Sequence, residues 1–298
     1  MNNIPTQSSL FDNTEEKTSS AHSDLEAKVI LHYPHPGVGE LILNYAEKYN
    51  AFDDQIIGLM LEKLAQAEQN PELDMLILRS KGKHFSSGAD LNWMKRMASN
   101  SHQENLDDAN QLARLMQTLN DFSKPTLALV QGAAFGGAVG LAACCDIVIA
   151  TQKTRFCLSE VKIGLVPAVI SPYVVRAIGE RQARRYFLTA EIISATQALN
   201  FGLVHELVED DSQLDIAAKL FIQQLNQNSP QAMSVAKALI AGVANKPIDD
   251  KLIDYTSHCI ADIRISNEGQ EGLDAFLNKR QASWIKPVQD NDKEQKDV

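Results

Sequence analysis

Two stretches of the 298-residue chain set small residues where an apolar run breaks into a turn: Ser87-Gly88-Ala89-Asp90 and Gly136-Gly137. Small residues at such points let main-chain N–H groups approach a ligand closely, and a helix starting there favours negative charge at its first turn. Two N–H groups converging on one oxygen make an oxyanion hole, each donor contributing about 3–4 kcal/mol. Tight turns made only for packing have the same composition. Glu160 is a candidate acid/base. It follows the apolar segment 155–158 and precedes Val161, Ile163, Gly164, Leu165 and Val166. Desolvation by such neighbours raises a carboxyl pKa, which suits proton transfer near neutrality; the plainer alternative is an exposed loop acid. Gly140 shares a helix face with Gly137 if a helix starts near 136. Glycine inside a helix costs about 1 kcal/mol relative to alanine, so either close packing or room for a ligand must compensate.

Other chemistries leave no trace. There is no Walker loop, G-x-G-x-x-G, H-E-x-x-H, G-x-S-x-G or EF-hand loop. The seven histidines are scattered without ligand spacing, so no metal is expected, and His205 in an apolar stretch reads as structural.

The elements that must position these residues alternate short apolar runs with amphipathic helices. Strands are expected over 29–31 and 41–43 around a Pro/Gly turn, and again over 75–79, 126–131, 147–150 and 155–158. Helices are expected over 52–69 and 105–120 and, beyond about 170, over 183–189, 214–226, 230–241 and 268–277. An internal echo links them. Leu76-Ile77-Leu78 leads to Phe85-Ser86-Ser87-Gly88-Ala89, and Leu127-Ala128-Leu129-Val130 leads to Phe135-Gly136-Gly137-Ala138, about 50 positions later. Residues 1–27 and 287–298 have little to bury and read as flexible tails. A core is expected over 28–225 and a helical region over 226–286.

Composition narrows the partners. Hydrophobic residues make up 44% and charged residues 22%, as in globular proteins, and the formal net charge of -10 argues against nucleic acid or an anionic membrane as a partner. Cys144, Cys145, Cys157 and Cys259 form no C-x-x-C pair and read as inert thiols of a reducing compartment. The first 27 residues lack the apolar core of a signal peptide and the arginines of a transit peptide, and the most apolar stretch, 132–150, is broken by Asp146 and glycines. A cytoplasmic enzyme is the expectation.

His84-Phe85-Ser86-Ser87-Gly88-Ala89-Asp90-Leu91 and Lys124-Pro125 with Gly132-Ala133-Ala134-Phe135-Gly136-Gly137 resemble the two signature segments of the enoyl-CoA hydratase/isomerase (crotonase) superfamily. Asn44, Asn50-Ala51, Cys145-Asp146-Ile147 and Gly202-Leu203-Val204 fit the same pattern, so the resemblance covers about 28–285. It implies an α/β spiral of ββα repeats with a C-terminal helical region that mediates homotrimers, often paired into hexamers. It also implies a lyase acting on an acyl-CoA, with coenzyme A arriving as part of the substrate and no separate cofactor. By position, Ala89 and Gly137 correspond to the oxyanion donors and Glu160 to the acid/base, with Gly88, Asp90, Leu91 and Gly136 beside the substrate. The segments 88–94, 158–173 and 184–191 are similar to those of bacterial 3-methylglutaconyl-CoA hydratases of leucine breakdown. Isohexenylglutaconyl-CoA hydratases share this style.

One departure stands out. Two-glutamate hydratases carry their second glutamate at the position of Gly140. The expectation drawn here is that Gly140 makes room for a branched, carboxylated acyl end while Glu160 handles the protons. A one-carboxylate site also suits Δ3,Δ2-enoyl-CoA isomerisation, and loss of the second acid would also fit a non-catalytic acyl-CoA-binding scaffold. Coenzyme A is polyanionic, so an acidic chain needs local cations. Lys81, Lys83, His84, Lys95, Arg96 and Lys279-Arg280 are available, and Lys48 and Lys279 are the expected contacts.

Overall fold

The computed structural model describes residues 24–285. β1 (Val29–His35) turns at Pro36-Gly37, where Gly37 has φ +79°, and pairs antiparallel with β2 (Val38–Leu43). α1 (Asp54–Gln69) starts on Asp53, whose carboxylate accepts the Ile56 N–H, and buries Ile56, Ile57, Met60 and Leu64 before Pro71 ends the run. β3 (Met75–Ser80) follows, then the short α2 (Leu91–Met97) and α3 (His102–Asn120). In α3 a Ser101–Glu104 capping box sets the start, three residues earlier than the pattern suggests, and Leu115, Met116 and Leu119 face inward. Next come β4 (Thr126–Val130), β5 (Ala133–Phe135), α4 (Gly137–Cys144), β6 (Ile147–Thr151) and β7 (Arg155–Cys157). A 3-10 turn over Glu160–Ile163 leads to α5 (Ser171–Thr189), which is interrupted at Gly179 (φ +76°). β8 (Ile193–Ser194), α6 (Ala195–Phe201), β9 (Glu206–Val208) and α7 (Leu214–Leu225) complete the core, and α8 (Pro230–Val243), α9 (Asp250–Ile265) and α10 (Asn267–Leu277) follow.

The result is a mixed α/β fold. Its main sheet has the order β1-β2-β3-β4-β6-β9, parallel from β2 onward, and a second sheet runs β5-β7-β8. The strands are apolar on both faces because both faces are covered. Leu76, Leu78, Ala128 and Val130 face the larger core with α1, α3, α4 and α5, while Met75, Ile77, Leu127 and Leu129 alternate to the other side beneath α7. The sequence echo becomes geometry here, since Leu76 of β3 lies level with Thr126 of the adjacent β4.

The ends differ from the sequence expectation. Residues 1–23 and 286–298 lie outside the described part, yet 24–27 of the expected tail belong to the body: Leu25 packs on the core and the Ala27 carbonyl accepts from Asn44 Nδ2 at 2.8 Å. At the other end, α8, α9 and α10 pack on one another. Lys237 of α8 ties them to the core, donating to Asp146 Oδ2 at 2.7 Å and to the Lys124 carbonyl at 3.2 Å. Among the described residues no helix is long and apolar enough to cross a membrane.

Candidate active site

The two glycine turns meet. Ser86 and Ala134 form a parallel bridge, with Ser86 N donating to Ala133 O at 3.0 Å and Phe135 N to Ser86 O at 3.1 Å. Two residues beyond this bridge on each segment stand Gly88 and Gly136, and a Cβ on Gly88 would lie 4.0 Å from Gly136 N. Both of the paired glycines are left-handed, Gly88 at φ +91° and Gly136 at φ +54°. A ladder cannot run through such residues, so each kink turns the next N–H out of it. Neither the Ala89 nor the Gly137 N–H donates to a group among the described residues; Gly137 is the first residue of α4, where the helix offers no acceptor. A Cβ on Gly88 would meet the Phe135 carbonyl oxygen at 2.8 Å, so only glycine allows the two chains this close. Phe52 fixes the arrangement. Its N–H donates to Gly88 O and its carbonyl accepts from Asp90 N, both at 3.0 Å, and its ring covers Gly137, where a Cβ would meet Cζ at 2.6 Å.

The acid comes from the neighbouring segment. β7 pairs with β5, and Gly136 N donates to Cys157 O at 2.8 Å, so the chain past Cys157 runs alongside the second kink. The 3-10 turn that follows is closed by Gly164 at φ +77°, and Leu165 N donates to Glu160 O at 3.0 Å. Glu160 Oε1 lies 3.2 Å from where a Cβ on Gly136 would stand, while Oε2 is buried without a hydrogen-bond partner. Burial raises the Glu160 pKa above the ordinary carboxylate value, and its own main-chain N–H opposes this more weakly. Two unengaged amides thus follow the two glycine kinks, and one carboxyl of raised pKa stands at the second of them. That set can polarise a carbonyl and move a proton at the adjacent carbon.

The remaining expected residues fall in several places. Gly140 needs correction: it is buried on α4, and a Cβ there would run into the Cγ2 of Ile170, stand 2.7 Å from its Cβ and 3.1 Å from Met116 Sδ. The missing side chain is replaced by Ile170, itself 2% exposed, so packing rather than room for a ligand explains the glycine. Asp90 is also reassigned, since its carboxylate caps α2 by accepting the Asn92 and Trp93 N–H groups at 2.7 and 3.1 Å. Leu91 is exposed at the start of that helix. Lys48 is exposed and adjoins Tyr49, whose carbonyl accepts from Ser87 N at 2.9 Å, so it stands beside the first turn. Lys279 is exposed just beyond α10. Arg96 is paired with Asp54, and Arg280 with Glu271 and Asp274, which commits both to intramolecular partners. Lys81 and Lys83 are exposed, the His84 ring stacks at a tilt on Tyr49, and Lys95 lies in the last turn of α2. Cys144, Cys145 and Cys157 are buried, with burial pushing the Cys145 thiol up to about 12. His205 accepts the Val148 N–H at Nδ1 (3.0 Å), a structural bond. Phe52 and Ile170 are the positioning residues that sequence reasoning missed.

Comparison with known proteins agrees with this fold. Residues 35–287 match the family model described as enoyl-CoA hydratase/isomerase. The crystal structure of an enoyl-CoA hydratase from Shewanella pealeana is 48% identical, with a TM-score of 0.84 over 88% of this chain and 98% of that one. The 2,3-dehydroadipyl-CoA hydratase of Escherichia coli is 30% identical over 80% of this chain and 92% of its own length. The enoyl-CoA hydratase AKT6-1 of Alternaria alternata is 30% identical over 91% and 89%.

Proposed function

The chain belongs to the enoyl-CoA hydratase/isomerase family, and from that premise we propose that it adds water to 3-methylglutaconyl-CoA, giving 3-hydroxy-3-methylglutaryl-CoA. The observation that carries the chemistry is the pair of neighbouring glycine kinks, with the Ala89 and Gly137 N–H groups unengaged and Glu160 beside the second kink. The thioester oxygen accepts both N–H groups. Glu160 as carboxylate takes a proton from water while the water oxygen bonds to C3, and the C2=C3 electrons pass to the thioester oxygen as an enolate. The enolate then collapses and C2 takes the proton from Glu160. One water is added across the double bond and the carboxylate is restored. A carboxyl whose pKa is raised by burial both accepts and returns that proton readily.

Support for a dicarboxylic acyl chain comes from the E. coli relative, whose name specifies the thioester of a dicarboxylic acid. Because Ile170 fills the place beside Gly140, the water has one protein carboxylate, and the far carboxylate of the substrate is the group available to orient it. Isohexenylglutaconyl-CoA meets the same requirement. Lys48 and Lys279 are the cations offered to the coenzyme A phosphates. The helices over 226–286 are the proposed oligomer contact, since α8 and α9 bury no residue within the chain and Ile240 and Phe276 are 67% and 81% exposed. Homotrimers or hexamers would cover them.

The single carboxylate also favours a second reading, Δ3,Δ2-enoyl-CoA isomerisation, in which Glu160 carries a proton from C2 to C4. Incubation with 3-methylglutaconyl-CoA and, separately, with a 3-enoyl-CoA, followed by mass analysis, decides between them. Gain of one water with the first substrate supports the hydratase. Double-bond migration in the second without mass gain in the first supports the isomerase, and binding of both without turnover leaves an acyl-CoA-binding scaffold.

A further inference from the structure

The segment that carries Phe52 bends in an uncommon way. Tyr49 and Asn50, just past the 3-10 turn Ala46–Lys48, both have φ +53°, in the left-handed region that residues with side chains rarely enter in succession. Asparagine tolerates that region better than most residues, and the Asn50 side chain holds it there. Its Oδ1 accepts the Tyr45 N–H, and its Nδ2 donates to both the Lys81 and the His84 carbonyls, each at 2.8 Å. The residue is 2% exposed. A bend in one segment is thus fixed by bonds to another, and strained backbone persists only where its surroundings over-determine it. The bend has a target. Tyr49 O accepts the Ser87 N–H at 2.9 Å, Phe52 N donates to Gly88 O and Phe52 O accepts from Asp90 N, both at 3.0 Å. Main-chain groups on either side of Ala89 are therefore tied to 49–52, while the Ala89 N–H donates to no group among the described residues.

We propose that Asn50 is a positioning residue for the first oxyanion donor: its side-chain amide locks the left-handed Tyr49–Asn50 corner onto the 81–84 loop, and Tyr49 and Phe52 pass that position to the turn that aims the Ala89 N–H. This rests on the reading of the Ala89 and Gly137 N–H groups as the oxyanion pair and is independent of the acyl group. A donor stabilises developing charge only if it is already aimed before the reaction. The turn cannot supply that aim itself, because Gly88, with no Cβ, is the most freely rotating residue in it. The aim comes from 49–52, and the place of 49–52 comes from Asn50. His84 O also accepts from Ser80 Oγ at 3.1 Å, so the 81–84 loop keeps a tie of its own when Asn50 is changed. The Phe52 ring, seated on Gly137, carries any shift of the corner to the second donor as well.

Asn50→Asp keeps the size and the tolerance of a left-handed backbone but removes both donations, and Asn50→Gly keeps the backbone freedom and removes all three bonds. The variants are assayed as purified full-length protein well below their Tm, so that lost stability alone leaves the readouts in place. For an enoyl-CoA that the wild type turns over, kcat should fall about 10- to 100-fold, less than the loss of a whole donor, with little change in KM. The acid limb of the kcat profile, where Glu160 titrates, should stay where it is. Butyryl-CoA labelled with 13C at the thioester carbonyl has no double bond to hydrate and reports polarisation directly. Binding to the wild type should lower its C=O stretching frequency, and about half or more of that lowering should vanish in both variants. A wild type that leaves the frequency unchanged overturns the oxyanion reading itself. A wild type that lowers it, with variants that keep the full lowering and full kcat while losing Tm, overturns the proposal alone and leaves Asn50 a structural residue.

Discussion

Gly140→Ala separates two explanations of the same glycine. The added methyl would stand 2.7 Å from Ile170 Cβ and 3.1 Å from Met116 Sδ, and closer still to the Ile170 γ-methyl. Ile170 is branched at Cβ and buried, so it has no free end to swing aside. Overpacking of this kind costs about 1–3 kcal/mol, and contacts this tight belong at the upper end. Alanine recovers about 1 kcal/mol of helix propensity. The net loss is about 2 kcal/mol, or a fall in Tm of roughly 4–8 °C for a domain of this size. Scanning calorimetry and urea titration of the wild type and Gly140→Ala measure it. Ile170→Ala in the same background should relieve part of the clash, so the pair of substitutions costs less than the sum of the singles by about 1 kcal/mol or more. A Gly140→Ala variant with unchanged Tm but a raised KM for the acyl-CoA would refute this reasoning and return Gly140 to the substrate.

Glu160→Gln should lower kcat by about 10²–10⁴-fold with little change in KM, as steady-state kinetics will show. The same change has a signed effect on stability. The folded-state pKa of Glu160 is raised by burial, so the wild type loses stability as pH rises from the ordinary carboxylate range through the raised value, and the variant should gain on it over that window; parallel pH–stability curves would contradict the burial argument. His205 has the opposite sign. Its pKa is lowered by burial, with Asp146 opposing more weakly, and neutral Nδ1 accepts the Val148 N–H. Its contribution is therefore present above the ordinary histidine value and lost as pH falls below it, and His205→Asn, which keeps an acceptor that does not titrate, should flatten the urea midpoint between pH 7.5 and 5.5. Lys237→Met removes a charge-assisted bond to Asp146 worth about 1.5 kcal/mol, and proteolysis within 226–229 should quicken; an unchanged cleavage rate would mean that the helices are held by other contacts.

What could be read from the chain beforehand was what depends on local residue type. Gly88, Gly136 and Glu160 stood out because small residues after apolar runs, and an acid among apolar neighbours, carry their meaning in a few adjacent positions. Apolar β3 and β4 and the amphipathic α1 and α3 were visible by periodicity for the same reason. The Asp90 cap was legible in principle, since aspartate before a short helix is a start signal, but seven-residue α2 holds too few turns to show a period. β5 and β8 have three and two residues, which leaves no alternation to detect, whereas β7 showed as the short apolar run expected over 155–158. Ile170 beside Gly140 and the Phe52 ring over Gly137 were out of reach, because each joins segments that meet only after the sheets form.

The arrangement of the site follows from that same assembly. The two donor amides lie in two chain segments that the Ser86–Ala134 bridge brings together, each following a glycine of positive φ. A kink in only one of them would leave the other N–H in the ladder, so the glycines have value as a pair. The acid does not share this symmetry. It comes from the segment after β7, docked by the Gly136 N–H to Cys157 O bond, and it reaches the second kink rather than the first. Disturbing the first turn should therefore weaken oxyanion binding while sparing the titration of Glu160, whereas disturbing the second turn should change both together. The pH dependence of kcat in variants of Gly88 and of Gly136 separates these outcomes, and an equal shift of its acid limb in both would show that the two turns move as one rigid unit.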